Sequence, residues 1–238
     1  MANEKDTPIY RVIRVPRDSP RLPDLAAKSR AARLHALHTD PTSFLSQHAT
    51  ESALPPTVWQ TRLSHPETAI LIAVATCSPS AADDETVLLD SEWAGFAAVR
   101  GPMKYADYYV SPDQGLPVPR NPHEEARWHV YDVYTLPAHR GRGLAKWLAK
   151  GLGAEGPGAE GLELKQARIR LFVDPRNAWV VKVYEGLGFR AAGSATLEEG
   201  FRANMLEESI PRDTRVNAEV ERLWHARFGL AMERIVRV

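Results

Sequence analysis

Apolar and polar residues alternate along the chain with two different periods, and their order predicts strands separated by helices. Runs rich in β-branched and aromatic residues, each bounded by turn-forming residues, predict the strands. These comprise residues 9–15, 69–77, 92–100, 128–136 and 167–173, a strand that begins at Phe189, and residues 230–238. The sequence therefore predicts a protein that combines helices with a sheet of about seven strands.

Between these strands, apolar residues recur with the spacing of one helical face. The predicted helices comprise residues 23–38, residues 57–63, a segment from about residue 143 with Leu144, Trp147, Leu148 and Leu152 on one face, a segment from about residue 178 to 187, and a segment with Val216, Val220, Leu223 and Trp224 on one face. Residues 78–85 are small and acidic and predict an exposed, mobile loop. Residues 151–161 hold five glycines and predict a flexible connection.

The stretch Arg140-Gly141-Arg142-Gly143-Leu144-Ala145 lies between a predicted strand and a predicted helix. The first amides of a helix lack intrahelical acceptors and carry the positive end of its dipole, and glycines let a phosphate reach the backbone. A P-loop would need Gly-Lys-Ser/Thr, which does not occur, and a dinucleotide fingerprint would need glycine where Lys146 stands. The stretch therefore indicates a pyrophosphate site, and the alternative is a tight turn on a basic, solvated surface.

A second group of residues follows the strand at residues 167–173. Asn177 is placed to cap the next helix, Tyr184 lies on the apolar face of that helix, and Gly188 is expected to end it before Phe189. Arg-x-x-Gly-x-Ala after a strand, followed by Asn-x-x-x-x-x-x-Tyr-x-x-x-Gly-Phe, resembles the GNAT superfamily of acyl-CoA-dependent N-acetyltransferases. The resemblance covers residues 128–193 and implies an α/β (α+β) fold, with a mixed, mostly antiparallel central sheet, flanking helices and splayed central strands.

The resemblance also implies that acetyl-CoA is the cosubstrate and that the glycine loop binds its pyrophosphate. The implied cofactor-binding residues are Val133, Tyr134 and Thr135, whose main chain would pair with the pantetheine arm, together with Arg140, Gly141, Arg142, Gly143, Leu144, Ala145, Asn177 and Tyr184. Asn177 alternatively serves only as the cap of its own helix. Tyr184 matches the position at which many of these enzymes place a tyrosine that protonates the leaving thiolate, and the alternative is an aromatic core residue.

The general base is expected on the strand that precedes the loop. His129 falls where some members of the family carry a catalytic Glu or His, and an imidazole with a pKa of about 6.5 is suited to accept a proton near neutrality. Asp132 is the second candidate, since it lies nearer the loop. Strand alternation places Asp132 on the face opposite to His129 unless a bulge redirects it.

Composition narrows the class of protein. The 238 residues, 44% of them hydrophobic, are enough for one large core, so a single domain over residues 1–238 is expected. The formal net charge is zero, which gives no reason to expect a nucleic-acid partner. The one cysteine, Cys77, and the spacing of the histidines predict neither a disulfide nor a metal site. We expect no membrane partner, an intracellular, cytoplasmic location, and a monomer or homodimer.

Two long stretches depart from a minimal member of the family, at residues 103–126 and 197–228, and are predicted to be insertions. They either fold over the amine-binding side or pack as surface decoration. The function that the sequence predicts is direct transfer of an acetyl group from acetyl-CoA to a primary amine, with a small molecule favoured and a protein lysine or N-terminus as further acceptors. The alternative is a non-catalytic acyl-CoA-binding or interaction module with the same fold.

Overall fold

The computed structural model describes residues 8–77, 82–144, 148 and 165–237. The strands are β1 (Ile9–Arg14), β2 (Thr68–Thr76), β3 (Glu92–Arg100), β4 (Glu125–Thr135), β5 (Gln166–Val173), β6 (Arg190–Ala195) and β7 (Gly229–Arg237). They form a seven-stranded sheet in the order β1-β2-β3-β4-β5-β7-β6. All seven predicted strands are confirmed. Strand β4 begins earlier than expected, so Glu125 and Ala126 belong to it rather than to the predicted insertion.

The sheet is mixed, as predicted. Strands β1 and β2 are antiparallel, as are β5 with β7 and β6 with β7, whereas β4 and β5 are parallel. The register of the parallel pair runs from Glu125 opposite Gln166 to Val130 opposite Leu171. Strand β4 continues past this register to Thr135, and its last residues lead into the candidate site.

The described helices are α1 (Leu22–Thr39), α2 (His48–Ser52), α3 (Pro56–Ser64), α4 (Asp84–Asp90), α5 (Tyr105–Tyr108), α6 (Ala178–Gly186), α7 (Leu197–Ala203) and α8 (Ala218–His225). Helices α1, α3 and α6 confirm the sequence patterns. In this part of the chain, none of the helices is both long and apolar enough to cross a bilayer.

Two helix predictions need correction. The expected acidic loop at residues 78–85 is wrong at its end, because Asp84 and Glu85 begin α4 and the side chain of Asp83 caps that helix by accepting from the Thr86 amide. The predicted apolar face near the C-terminus is also wrong at two positions. Val216 precedes α8 and is exposed, and Leu223 within α8 is 55% exposed.

Several predictions fall partly or wholly outside the described residues. Leu144 and Leu148 are helical and buried, as the helix predicted after the glycine loop requires. The other residues of its predicted face, Trp147 and Leu152, lie outside, as do Ala145, residues 78–81 and the glycine-rich residues 151–161.

The chain forms two compact units, and the first contains the described residues of Met1–Ala98 and Asp132–Glu155. Its core packs α1, α3 and α4 against one another and against the first three strands. The largest buried side chains of this core are Ile13, Leu25, Trp59, Leu63, Ile72, Leu88 and Trp93. Gly95 is required by close packing, because a Cβ at this position would lie 2.6 Å from the carbonyl oxygen of Tyr134.

The second unit contains the described residues of Val99–Tyr131 and Gly156–Val238. Here the first predicted insertion packs Met103, Tyr108 and Leu116 against Ala231 of β7. The second packs its two helices together through the side chains of Phe201, Leu206 and Trp224. Close packing also requires glycine at position 193, since a Cβ there would lie 2.1 Å from the carbonyl oxygen of Gln114.

Candidate active site

The glycine loop follows β4 through a short 3-10 turn, Pro137–His139. Gly141 and Gly143 have φ values of 75° and 78°, in the left-handed region that favours glycine. Among the described residues, no heavy atom lies within 4 Å of the Cβ that either position would carry, so this side of the loop is uncovered by them. The chain becomes helical at Leu144. A turn of left-handed glycines leading into a helix is a suitable cradle for phosphate oxygens.

Arg140, the first residue of the loop, is held by contacts inside the first unit. Its Nη2 donates to Oδ2 of Asp40 at 2.5 Å, and its Nε donates to the carbonyl oxygen of Thr135 at 3.1 Å. The hydroxyl of Tyr134 donates to the same Asp40 oxygen at 2.5 Å. The guanidinium is therefore turned back along the end of β4. The sequence patterns gave no role in the site to Asp40, which comes two residues after the predicted helix at residues 23–38.

The 3-10 turn before the loop is anchored by a buried histidine. Nδ1 of His139 lies 2.9 Å from the hydroxyl of Tyr10, and its Nε2 lies 3.2 Å from a carboxylate oxygen of Glu92. Arg142, the other arginine of the loop, places its guanidinium 5.7 Å from the centre of the Tyr10 ring. These contacts link the turn to β1 and β3 and place Arg142 beside β1.

Asp132 lies in β4 at an irregular point of the backbone. Its φ of 54° is left-handed, which is uncommon for a residue other than glycine and breaks the regular alternation of the strand. This irregular backbone lies at the residue for which the sequence left open a departure from strand alternation. Strained backbone of this kind is often found at functional sites. An oxygen of Asp132 lies 2.9 Å from Nη1 of Arg33, and the side chain keeps 21% of its surface accessible.

Asp132 is connected to a buried network of ion pairs. Arg33 of α1 contacts both Asp132 and the fully buried Glu51, the latter at 2.9 Å. Glu51 also accepts from Arg62 at 3.0 Å and from the hydroxyl of Ser46. Burial opposes ionisation of Glu51, but the two arginines outweigh it and lower its pKa to about 2. Burial raises the pKa of Asp132 above its usual value, against the opposing attraction of Arg33.

Sequence reasoning missed this network, although one signal was present. Arg33 occupies a buried position of α1 together with Leu25, Ala36 and Leu37, so an arginine stands in the apolar stripe of the helix. A charged residue at a core position requires a buried partner. Nothing in the sequence identifies that partner, since Glu51 and Asp132 come from distant segments.

His129 is fully buried in the second unit, and both of its ring nitrogens have partners. Nε of Arg170 donates to Nδ1 at 3.3 Å, and Nε2 lies 3.0 Å from Oδ1 of Asn204. Because arginine only donates, the neutral ring carries its proton on Nε2 and donates it to Asn204. Burial and the charge of Arg170 hold the pKa of His129 well below its usual value. These contacts favour a supporting role, and the catalytic role of His129 stays a prediction.

Replacing His129 by glutamine is therefore expected to reduce activity by the same factor at every pH between about 6 and 9. Loss of the hydrogen bond to Asn204 or Arg170 is expected to cost about 1–3 kcal/mol of stability, because it leaves a buried polar group unpaired. Steady-state rates across this pH range and a thermal unfolding curve measure the two effects. A loss confined to the acidic side would instead identify His129 as the base.

Tyr184 and Asn177 lie at the two ends of α6 in the second unit. The side chain of Asn177 accepts from the Val180 amide, so it caps the helix, as one reading of the sequence predicted. Tyr184 is partly buried, with its ring edge-on to Phe189 at 5.7 Å. Burial raises the pKa of Tyr184 to about 12. Gly188 ends this segment with a φ of 89°, as predicted.

The second unit also contains a buried row of charges beneath the first insertion. Arg168 of β5 donates to Glu125 of β4 at 2.9 Å and to Glu233 of β7 at 2.7 Å. The hydroxyl of Tyr108, on the insertion, donates to Glu233 at 2.7 Å. This row ties the insertion to the sheet. Within the described residues, no group of three or more His, Cys, Asp or Glu side chains is arranged to hold a metal ion.

Comparison with known protein families identifies the class of protein. The model of the acetyltransferase (GNAT) family matches residues 34–189, well over half of the chain. The chain belongs to this family, and it is an acetyltransferase. The matched region includes the C-terminal end of α1, β4, the glycine loop and Tyr184.

Solved structures confirm the fold. A candidate acetyltransferase from Acinetobacter baylyi ADP1 superimposes with a TM-score of 0.52 at 15% identity, covering 98% of this chain and 94% of its own. An acetyltransferase of the GNAT family from Streptococcus pneumoniae gives a TM-score of 0.51 at 15% identity, covering 96% of this chain and 100% of its own. No curated protein matches the sequence significantly. The structural similarity supports the fold, but at this low sequence identity it carries no information about the substrate.

Proposed function

We propose that this acetyltransferase transfers an acetyl group from acetyl-CoA directly to a primary amine. The observation that carries the proposal is the open loop in which Gly141 and Gly143 adopt left-handed conformations before the helical Leu144. Such a loop offers backbone amides to phosphate oxygens. It stands where the family resemblance expects the pyrophosphate of the cosubstrate, with Val133–Thr135 as the main-chain partner of the pantetheine arm.

The reaction requires one proton to be removed and a thiolate to be stabilised. The amine nitrogen attacks the thioester carbonyl carbon, the carbon–sulfur bond breaks, and the proton of the amine passes to a base. We assign that base to Asp132 rather than to His129. Asp132 is partly accessible and has a raised pKa, which makes it a stronger base than an ordinary carboxylate. His129 is fully buried with both ring nitrogens already bonded.

The acid is assigned to Tyr184. With a pKa of about 12, its phenol remains protonated at neutral pH. Burial alone raises this pKa, with no contribution from a hydrogen bond or charge among the described residues, which leaves the hydroxyl able to donate to a ligand. A thiol has a pKa of about 8.5, well below that of this phenol, so complete proton transfer to the thiolate is uphill. Tyr184 is therefore expected to act by donating a hydrogen bond as charge develops on sulfur.

Replacing Tyr184 by phenylalanine is expected to lower kcat by about 10- to 100-fold and to leave the KM for acetyl-CoA within about twofold. The hydroxyl contributes to the transition state, where sulfur is charged, and contributes little to binding of the thioester. Steady-state kinetics with acetyl-CoA varied at saturating acceptor separates the two constants. Tyr105→Phe, which removes a hydroxyl from an exposed tyrosine, is the matched control and should leave both unchanged. Unchanged turnover of Tyr184→Phe would contradict the assignment.

The acceptor is best identified by release of free coenzyme A across a panel of amines. The formal net charge of zero gives no acidic field to attract a basic peptide, so small primary amines are the favoured acceptors. Peptides with a lysine and peptides with a free N-terminus form the other arms of the panel. Calorimetric titration with coenzyme A shows independently whether the donor site binds. Binding without release on any arm would contradict the proposed transfer and favour an acyl-CoA-binding module.

A further inference from the structure

The carboxylate of Asp40 joins three segments of the first unit. In the chain, Asp40 follows Thr39, the last residue of α1, and precedes the short 3-10 turn Pro41–Ser43. One oxygen, Oδ2, accepts both from the Tyr134 hydroxyl and from Nη2 of Arg140, each at 2.5 Å. The end of a helix, the end of β4 and the first residue of the glycine loop therefore meet at a single oxygen atom.

Arg140 makes two further contacts that hold its side chain in one place. Its Nε donates to the Thr135 carbonyl at 3.1 Å, and its guanidinium lies 5.6 Å from the centre of the Tyr134 ring. Tyr134 is itself buried, and its ring packs against Phe44 and Phe96 at 5.2 and 5.6 Å. The contacts of Arg140 thus rest on a fixed aromatic ring rather than on mobile surface groups.

The charges of this cluster have a consequence for a phosphate ligand. The hydrogen bond from Tyr134 and, against the effect of burial, the contact with Arg140 lower the pKa of Asp40, so it is ionised at neutral pH. The ionised carboxylate, 2.5 Å from Nη2 of Arg140, opposes the attraction of that guanidinium for an anion. Two donor groups of Arg140, Nε and Nη2, are already bonded to Thr135 and Asp40, which leaves less of the guanidinium for a phosphate.

We propose that Asp40 is a positioning residue of the donor site: it holds Arg140 against the end of β4, so that the backbone of Gly141–Gly143, rather than the guanidinium, binds the pyrophosphate. The proposal rests on the proposed use of acetyl-CoA. It assigns Arg140 the task of fixing where the loop begins. The open left-handed glycines then present their amides in a constant position.

A double-mutant cycle on Asp40 and Arg140 tests the proposal. Asp40→Asn and Arg140→Gln are each expected to raise the Kd for coenzyme A and the KM for acetyl-CoA about five- to tenfold. The double variant should show the same increase and not its square, because both changes break one connection. At saturating acetyl-CoA, kcat should stay within about twofold. A loss of folding would lower kcat and the fraction of active protein together.

The matched control is Asp84→Asn, which removes one charge from an exposed ion pair with Arg11 in the same unit and should change neither constant. If Asp40→Asn does not fold, Tyr134→Phe takes the place of Asp40→Asn in the cycle with Arg140→Gln. This variant removes one of the two donors to Asp40. Its ring remains to pack against Phe44 and Phe96.

Three results would overturn the inference. Tighter binding by Asp40→Asn would show that Asp40 competes with the pyrophosphate for Arg140. Additive losses in the double variant, or a large loss confined to Arg140→Gln, would show that Arg140 binds the phosphate itself. Failure of the unmodified protein to bind coenzyme A would overturn the proposed function as well, whereas normal binding that Asp40→Asn leaves unchanged would overturn this inference alone.

Discussion

Replacing Asp132 by asparagine is expected to lower kcat by about 10²- to 10³-fold, with the KM for acetyl-CoA within about threefold. Asparagine keeps the shape of the side chain and can still accept from Arg33, but it cannot take the proton of the amine. The raised pKa of Asp132, caused mainly by burial, is the property that makes its carboxylate an effective base. Steady-state kinetics with the best acceptor of the panel measures the effect.

The dependence of activity on pH distinguishes a base from a structural residue at position 132. The base acts only when ionised, so activity of the unmodified enzyme falls as pH falls through the pKa of Asp132, which lies above the usual 3.8. The residual activity of Asp132→Asn should rise steadily toward alkaline pH, because the free amine then loses its proton without help. Asp113→Asn, an exposed carboxylate in the first insertion, is the control. A loss that is equal at every pH, with the fold intact, would remove Asp132 from the base role.

Glu51→Gln is expected to lower the free energy of unfolding at pH 7 by about 3 kcal/mol. This magnitude corresponds to a carboxyl whose pKa is lowered from 4.5 to about 2 by Arg33 and Arg62. A carboxyl with a lowered pKa stabilises the folded state above its unfolded pKa and loses that effect as pH falls. The difference between the two proteins should therefore be complete above about pH 5 and less than half as large at pH 3. Urea denaturation at both pH values measures it.

Glu219→Gln is the control for this experiment, because Glu219 is an exposed acid in the first turn of α8. This substitution should change the free energy of unfolding by less than about 0.5 kcal/mol. A difference between Glu51→Gln and the unmodified protein that is the same at pH 3 and pH 7 would show that size and packing matter here, and ionisation does not. Because Arg33 links Glu51 to Asp132, the variant is also expected to reduce activity through Asp132.

Local patterns predicted the sheet well, because strand periodicity reports which residues are buried on the two faces. They predicted the short elements poorly. Helices α2 and α4 have five and seven residues, too few for a helix to be stable without tertiary contacts. A signal for α4 was available in Asp83, a good cap residue. Tertiary contacts also decide which side of α8 is buried. Trp224 packs into the core of the second unit, whereas Leu223 on the neighbouring side stays exposed.

The base is where sequence and structure diverge most. By position alone, His129 and Asp132 are both polar residues of one strand, and the histidine has the more convenient intrinsic pKa. Burial of His129 between Arg170 and Asn204 and the left-handed backbone at Asp132 reverse that preference. Arg170 and Asn204 are far from His129 in the chain, so its burial could not be predicted. The residue pattern also does not mark which strand residue takes a left-handed backbone.

The sequence by itself determined the seven strands, the glycine loop after β4 and the family, because each depends on the residue types and spacing within one short segment. Only the tertiary structure decided how those segments are held. Asp40, Arg33 and Glu51 each act through partners that are distant in the chain, and their charges become meaningful when burial and pairing set which of them stay ionised.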